Sequence, residues 1–215
     1  MPLFLDEIVS LLPVRTPRRV RVQDATRASV AAVFRDGARG AELLFIRRAP
    51  HPRDPWSGQI AFPGGREEPE DESLQAVAIR ETLEEIGLDL RGGSVQPIGP
   101  LDEMQARSRM KIAPLVIHPF AFALRGEAMF PRVPNREVDQ AFWFPVAELV
   151  EPGRRFFYDA HRASLPYTFP AIDLGPERTL WGLTHRMVFE IGGRLGLVQD
   201  IDALTTPRET DQSTR

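Results

Sequence analysis

The 215-residue chain contains no cysteine. That absence excludes disulfides, cysteine-ligated zinc, iron–sulfur clusters and thiol nucleophiles together. The chain also lacks an uninterrupted apolar run of the roughly 20 residues needed to span a bilayer. Its first residues, Met1-Pro2-Leu3-Phe4-Leu5-Asp6-Glu7, carry no basic cluster, so a secretory leader is not expected. Neither sign of charge dominates: 27 Lys+Arg against 30 Asp+Glu leave a formal net charge of -3. Binding to nucleic acid through bulk electrostatics gains no support from that balance. A soluble cytoplasmic protein, with no nucleic-acid or membrane partner, is the expectation.

Proline is plentiful, at 20 residues, and argues for turns and stiff loops rather than a helical bundle. The 42% hydrophobic share is enough to bury a core. Length suits one large domain with a flank. The expected organisation is an N-terminal helix and connector over 1–22, one domain over 23–204, and a flexible polar tail over 205–215.

Local patterns refine this. Leu3 to Leu12 has helical apolar spacing and meets Pro13; the arginines that follow (Arg15, Arg18, Arg19, Arg21) read as a solvated connector. Ala28–Phe34 and Ala41–Ile46 read as strands around an Asp36-Gly37 turn. Gln59–Phe62 is a further apolar segment, broken by Pro63-Gly64-Gly65. A helix is expected from about Ser73 to Ile86, with Ser73 or Asp71 capping its start and Gly87 stopping it. Further strands are expected at Val95–Ile98, at Ile112–Leu124 broken by Pro114 and Pro119, and at Ala141–Phe144; a short helix follows over Pro145–Val150, and a long one spans Thr179–Leu195. Strands interspersed with helices imply a mixed sheet flanked by helices.

The segment with chemical content is Arg80-Glu81-Thr82-Leu83-Glu84-Glu85-Ile86-Gly87-Leu88. Glu81, Glu84 and Glu85 stand at i, i+3 and i+4, on one helix face. Three like charges repel there, and near a helix C-terminus they also oppose the dipole. A hard divalent cation resolves the conflict, because it takes carboxylate oxygens. Arg80 is four residues before Glu84 and can orient a carboxylate. Two consecutive glycines, Gly64 and Gly65, let the backbone approach a ligand closely and expose carbonyl oxygens.

With these residues in place, Gly65 to Leu88 resembles the signature box of the Nudix hydrolases: Gly, five residues, Glu, seven residues, Arg-Glu, an aliphatic, any residue, Glu-Glu, any residue, Gly, an aliphatic. Glu72, Arg80, Glu81, Glu84, Glu85, Gly87 and Leu88 match in spacing. Two departures stand out: six residues rather than five separate Gly65 from Glu72, and Thr82 occupies the aliphatic position. The resemblance implies an α+β Nudix fold, an α/β/α sandwich with a mixed sheet between helices. It implies Mg²⁺ or Mn²⁺ as cofactor, held by Glu81 and Glu85 with Glu84 as a further ligand or water activator, and a backbone carbonyl ligand at Gly65 or Gly64. Arg80 would orient a glutamate, Glu72 would support loop and helix, and Glu137 is a candidate general base from a separate loop. A homodimer is a family-level expectation.

Upstream, Arg48, Ala49, Arg53, Gly58 and Phe62-Pro63-Gly64-Gly65 are similar to the motif of the coenzyme A pyrophosphatase branch, with Phe45 and Ile46 departing and Arg53 to Gly58 one residue longer. That likeness implies a CoA-like small-molecule partner, cleaved to 3′,5′-ADP and (acyl-)4′-phosphopantetheine. Arg47, Arg48 and Arg53 are candidate phosphate contacts, although strand alternation puts Arg47 and Arg48 on opposite faces. Trp56 is a candidate stacking residue and Gly64 a close-approach position. The alternatives are a hydrolase of another nucleoside diphosphate derivative, such as a dinucleotide or ADP-sugar, and a non-catalytic nucleotide-binding domain. His51, His118, His161 and His185 show no zinc-ligand spacing.

Overall fold

The computed structural model describes residues 3–51, 56–106, 114–126, 133–159 and 167–209. A helix α1 (Leu5–Leu11) runs into a 3₁₀ turn, Leu12–Val14, that absorbs Pro13. Two long strands follow, β1 (Thr26–Gly37) and β2 (Gly40–Arg48), then the short β3 (Ile60–Ala61) and β4 (Gly64–Arg66). Helix α2 spans Leu74–Ile86. Strands β5 (Val95–Pro100), β6 (Met104–Ala106), β7 (Leu115–Leu124) and β8 (Val138–Pro145) complete an eight-stranded sheet, and α3 (Val146–Leu149) follows.

The sheet is mixed. β1 and β7 run parallel; the other pairings, including β2 with β8 and β4 with β1, are antiparallel. Alternation along β1 sends Ala32 and Phe34 to one face and Ala31 and Val33 to the other. The first face packs against Leu5 and Ile8 of α1 and against Met187, Val188 and Phe189. The second packs against Ala78 and Ile86 of α2. The sheet therefore lies between helices, as the sequence implied.

Pro119 does not break its strand. β5 pairs with β7 over 120–124 and β6 pairs over 115–117, so the missing N–H falls in the gap between these two ladders. The expected helix over Thr179–Leu195 starts later: Thr179–Trp181 is a strand, β11, and the helix α4 runs Gly182–Arg194. Leu180 is buried from the strand and Leu183 packs from the helix, so the apolar spacing crosses the junction without a break. β11 belongs to a second sheet with β9 (Arg155–Asp159), β10 (Tyr167–Asp173) and β12 (Arg208–Glu209). Past the short α5 (Ile201–Thr205), where a frayed tail was expected, Arg208 pairs with Thr168.

The arginines of the basic connector are exposed, as expected, and the connector is also tied down. Arg18 N–H donates to Asp102 at 2.7 Å, Arg19 pairs with Glu103 at 2.6 Å, and Arg18 reaches Glu190 on α4 at 2.9 Å. Among the described residues, no helix is long and apolar enough to cross a membrane.

Candidate active site

Helix α2 is fixed at both ends by local chemistry. Ser73 Oγ accepts from the Ala76 N–H at 3.1 Å, and Gly87 takes a left-handed conformation while its N–H reaches Leu83 O at 2.9 Å. Thr82, which departs from the aliphatic pattern, is fully buried; its hydroxyl donates to Ala78 O at 2.7 Å. The helical turn thereby satisfies the polar atom that the position was expected to lack.

The three glutamates differ sharply in environment. Glu84 is half-exposed, with 55% of its side chain open; Glu81 is mostly covered, and Glu85 is buried. Glu85 Oε2 accepts the Gly64 N–H at 2.9 Å. Burial pushes the Glu85 carboxyl up to about 8; the Gly64 amide and Arg48 work against that rise, while Glu81 and Glu137 add to it. Glu81 is raised as well, first by burial, with Arg80 opposing. A buried carboxylate flanked by two others, with one backbone amide and one nearby arginine as counterweight, is an environment that a cation would stabilise.

Both glycines lie in close approach, Gly64 to backbone and Gly65 to the end of the Glu81 side chain. Gly64 sits at φ +152°, and a Cβ there would lie 2.2 Å from Ser29 O. A Cβ on Gly65 would lie 2.2 Å from Glu81 Oε1. The glycine strand β4 thus carries Glu81 and Glu85 directly against its backbone.

Arg80 anchors the arrangement. Its Nε and Nη2 donate to the two oxygens of Asp71, each at 2.9 Å, and Nη2 also reaches Arg66 O at 3.1 Å. Nη1 is shared between Glu81 at 3.0 Å and Glu84 at 3.3 Å. The carboxylate that supports the loop is therefore Asp71, whose other contact is the Glu68 N–H at 2.8 Å, while Glu72 is exposed. Asp71 is separated from Gly65 by five residues, as the box asks, and from Arg80 by eight rather than seven, so the extra residue falls on the helix side of the carboxylate once Asp71 is placed in that role.

Glu137 lies close enough to Glu81 and Glu85 to raise both. Arg48 acts on Glu85 from the end of β2, whereas Arg47 points to the opposite face and pairs with Asp139 and with Glu177, the latter at 3.4 Å. Arg47 is thus removed from the group of phosphate contacts, and alternation along β2 is the reason. Trp56 is 38% exposed on the β2–β3 loop. Arg53 and His161 lie outside the described residues. His118 bonds Glu103 at 3.0 Å and His185 stacks on Phe189, so neither approaches a metal-ligand grouping. Sequence reasoning missed Asp71 as the partner of Arg80, and it missed Asn135, whose Nδ2 donates to Glu85 O at 2.7 Å.

The donor set fits a hard cation. Its atoms are oxygens of Glu81, Glu84 and Glu85, and of these the buried Glu85 carboxyl and the Glu81 carboxyl stand directly against Gly64 and Gly65. Among the described residues, no three acidic or histidine side chains are already gathered at ligating distance. Arg80 Nη1 stands between Glu81 and Glu84 and bonds both.

A sequence model of the NUDIX domain matches residues 25–165. An uncharacterized protein of Schizosaccharomyces pombe is 38% identical over 131 residues, covering 60% of this chain and 39% of that protein. An uncharacterized Nudix hydrolase, NudL, of Yersinia enterocolitica is 28% identical over 156 residues, covering 72% of this chain and 74% of its own length. The chain thus spans about two-fifths of the yeast relative, 39% of it. Among solved structures, a C. elegans Ap4A hydrolase superposes with TM-score 0.48 at 17% identity, over 59% of this chain and 84% of that one. The NUDIX domain of Shewanella oneidensis NrtR with ADP ribose gives TM-score 0.45 at 19% identity, over 66% and 84%.

Proposed function

The chain belongs to the NUDIX family, and we propose that it is a hydrolase of a nucleoside diphosphate derivative that cleaves the diphosphate of coenzyme A or acyl-CoA. The products would be 3′,5′-ADP and (acyl-)4′-phosphopantetheine. The observation that carries the reading is the buried Glu85, bonded to the Gly64 amide, with Glu81 over Gly65 and Arg48 acting on it from β2. Arg48 opens the upstream motif similar to that of the CoA branch.

Glu81 and Glu85 would hold Mg²⁺ or Mn²⁺, joined by Glu84 and by a carbonyl of the glycine pair. Gly64 is the better carbonyl candidate, because Ser29 pairs with Gly65 in the β1–β4 ladder while the Gly64 amide faces α2. When bound, the cation supplies neutralisation of phosphoryl charge and a lowered water pKa. Arg80, clamped by Asp71, keeps Glu81 and Glu84 on the site side of the helix. Glu137 takes the proton as the water oxygen bonds to phosphorus and the bridging P–O bond breaks. Arg48, with Arg53 as a second cation, would meet the phosphates, and Trp56 would offer a ring face to the base.

The test is incubation with Mg²⁺ and a panel of CoA, NADH, ADP-ribose and diadenosine polyphosphates, with products identified by mass. CoA cleaved fastest supports the reading. ADP-ribose cleaved far faster than CoA would remove the substrate assignment and leave the hydrolase.

A further inference from the structure

Asn135 lies in the loop before β8, and its side chain is used on both sides. Its Oδ1 accepts the Glu137 N–H at 2.9 Å and the Val138 N–H at 2.8 Å. Its own N–H closes the turn on Val138 O at 2.8 Å. This Asx turn fixes the backbone of Glu137. The opposite edge of the amide, Nδ2, donates to Glu85 O at 2.7 Å.

Glu85 O is one of the last carbonyls of α2, which the helix itself cannot satisfy. Asn135 therefore caps the helix end and ties it to the loop in one side chain. The Glu137 carbonyl is held as well, by the Ala49 N–H at 2.8 Å, next to Arg48. Both backbone polar groups of Glu137 are thus anchored, one to the helix bearing Glu81 and Glu85, the other to the end of the strand bearing Arg48.

We propose that Asn135 is the positioning residue that sets Glu137 against the carboxylates of α2. The inference rests on the hydrolase reading and on Glu137 as proton acceptor. The residue type follows from the two-sided demand: a short side chain with an oxygen that accepts twice and a nitrogen that donates. Aspartate would preserve the turn but would set an oxygen against Glu85 O. Alanine would remove both connections.

The experiment compares Asn135→Asp, Asn135→Ala and Glu137→Gln in the full chain, with Mg²⁺ and CoA, or whichever panel compound is cleaved fastest. The expected result is a fall in kcat of about 10- to 100-fold for each Asn135 variant, with KM within about threefold, on the scale of a misplaced catalytic group. Asn135→Ala placed in a Glu137→Gln background should cause no further fall. In metal-free protein, the amides of Glu137 and Val138 should exchange at least about tenfold faster in the Asn135 variants. Asn135→Asp carries the test if Asn135→Ala does not fold. Wild-type kcat in a folded Asn135 variant, an equal loss in the Glu137→Gln background, or unaccelerated exchange would overturn the proposal. Wild-type turnover by Glu137→Gln would instead remove Glu137 as the proton acceptor, and the positioning role with it. Failure of the wild-type protein to cleave any panel member would strike the hydrolase reading, while the exchange rates would still decide whether the strut exists.

Discussion

Asp71→Ala and Glu72→Ala form a matched pair that separates the sequence pattern from the geometry. The Asp71 side chain is 5% exposed and receives a bidentate contact from Arg80, whose side chain is 24% exposed, together with the Glu68 N–H. Exposed ion pairs contribute at most about 1 kcal/mol, whereas breaking a buried pair costs about 3–5 kcal/mol. The partly covered position of Arg80 puts Asp71→Ala between these, at about 2 kcal/mol. For a chain of this size that lowers Tm by about 4–8 °C. Freed from Asp71, Arg80 turns its full charge on Glu81 and Glu84, so the Mg²⁺ concentration giving half-maximal activity should rise severalfold. Glu72→Ala, at an exposed position, should stay within about 0.5 kcal/mol of wild type. Thermal denaturation and a Mg²⁺ titration of activity read both effects. A larger loss in Glu72→Ala than in Asp71→Ala would refute the reasoning.

The glycine pair predicts a split. Gly64→Ala meets backbone at Ser29 O and a positive φ, so loss of stability, measured by denaturant melting, should exceed about 2 kcal/mol. Gly65→Ala meets only the movable end of Glu81, so it should fold and yet lose about 100-fold in turnover. Arg48→Ala should raise KM for CoA about tenfold in steady-state kinetics, as expected for one charge-assisted contact, whereas Arg47→Ala should leave KM within about twofold. His185 is buried beside Arg155 and its pKa is lowered to about 4. Between pH 6.5 and 4 the unfolded chain binds the extra proton, so stability falls as pH drops through that window, by about 3 kcal/mol in total. His185→Gln should flatten that slope in pH-dependent melts.

The helix and its glutamates were legible because a fixed spacing on a helix fixes a face. Arg47 and Arg48 were separable for the same reason, through the period of a strand. Asp71 was not, because an inserted loop residue shifts the register and only the Arg80 guanidinium shows which carboxylate it chose. The strand at Thr179–Trp181 was hidden by apolar spacing that continues from Leu180 into Leu183, and Gly182, at φ +70°, marks the junction. The second sheet was missed although β9, β10 and β11 pair with their neighbours in sequence, because Arg155–Asp159 and Thr179–Trp181 are short and Tyr167–Asp173 is interrupted by Pro170, so no run of alternating apolar residues marks them. Asn135 carried a local signal, since Pro-Asn favours a turn, but its other contact is with Glu85, 50 positions away.

Glu85 is the group on which the account depends most. CoA turnover in Mg²⁺, followed by mass detection of 3′,5′-ADP and 4′-phosphopantetheine, should fall by about 100-fold or more in Glu85→Gln, with the variant folded by circular dichroism. Turnover near the wild-type rate in that folded variant would contradict the assignment of this site.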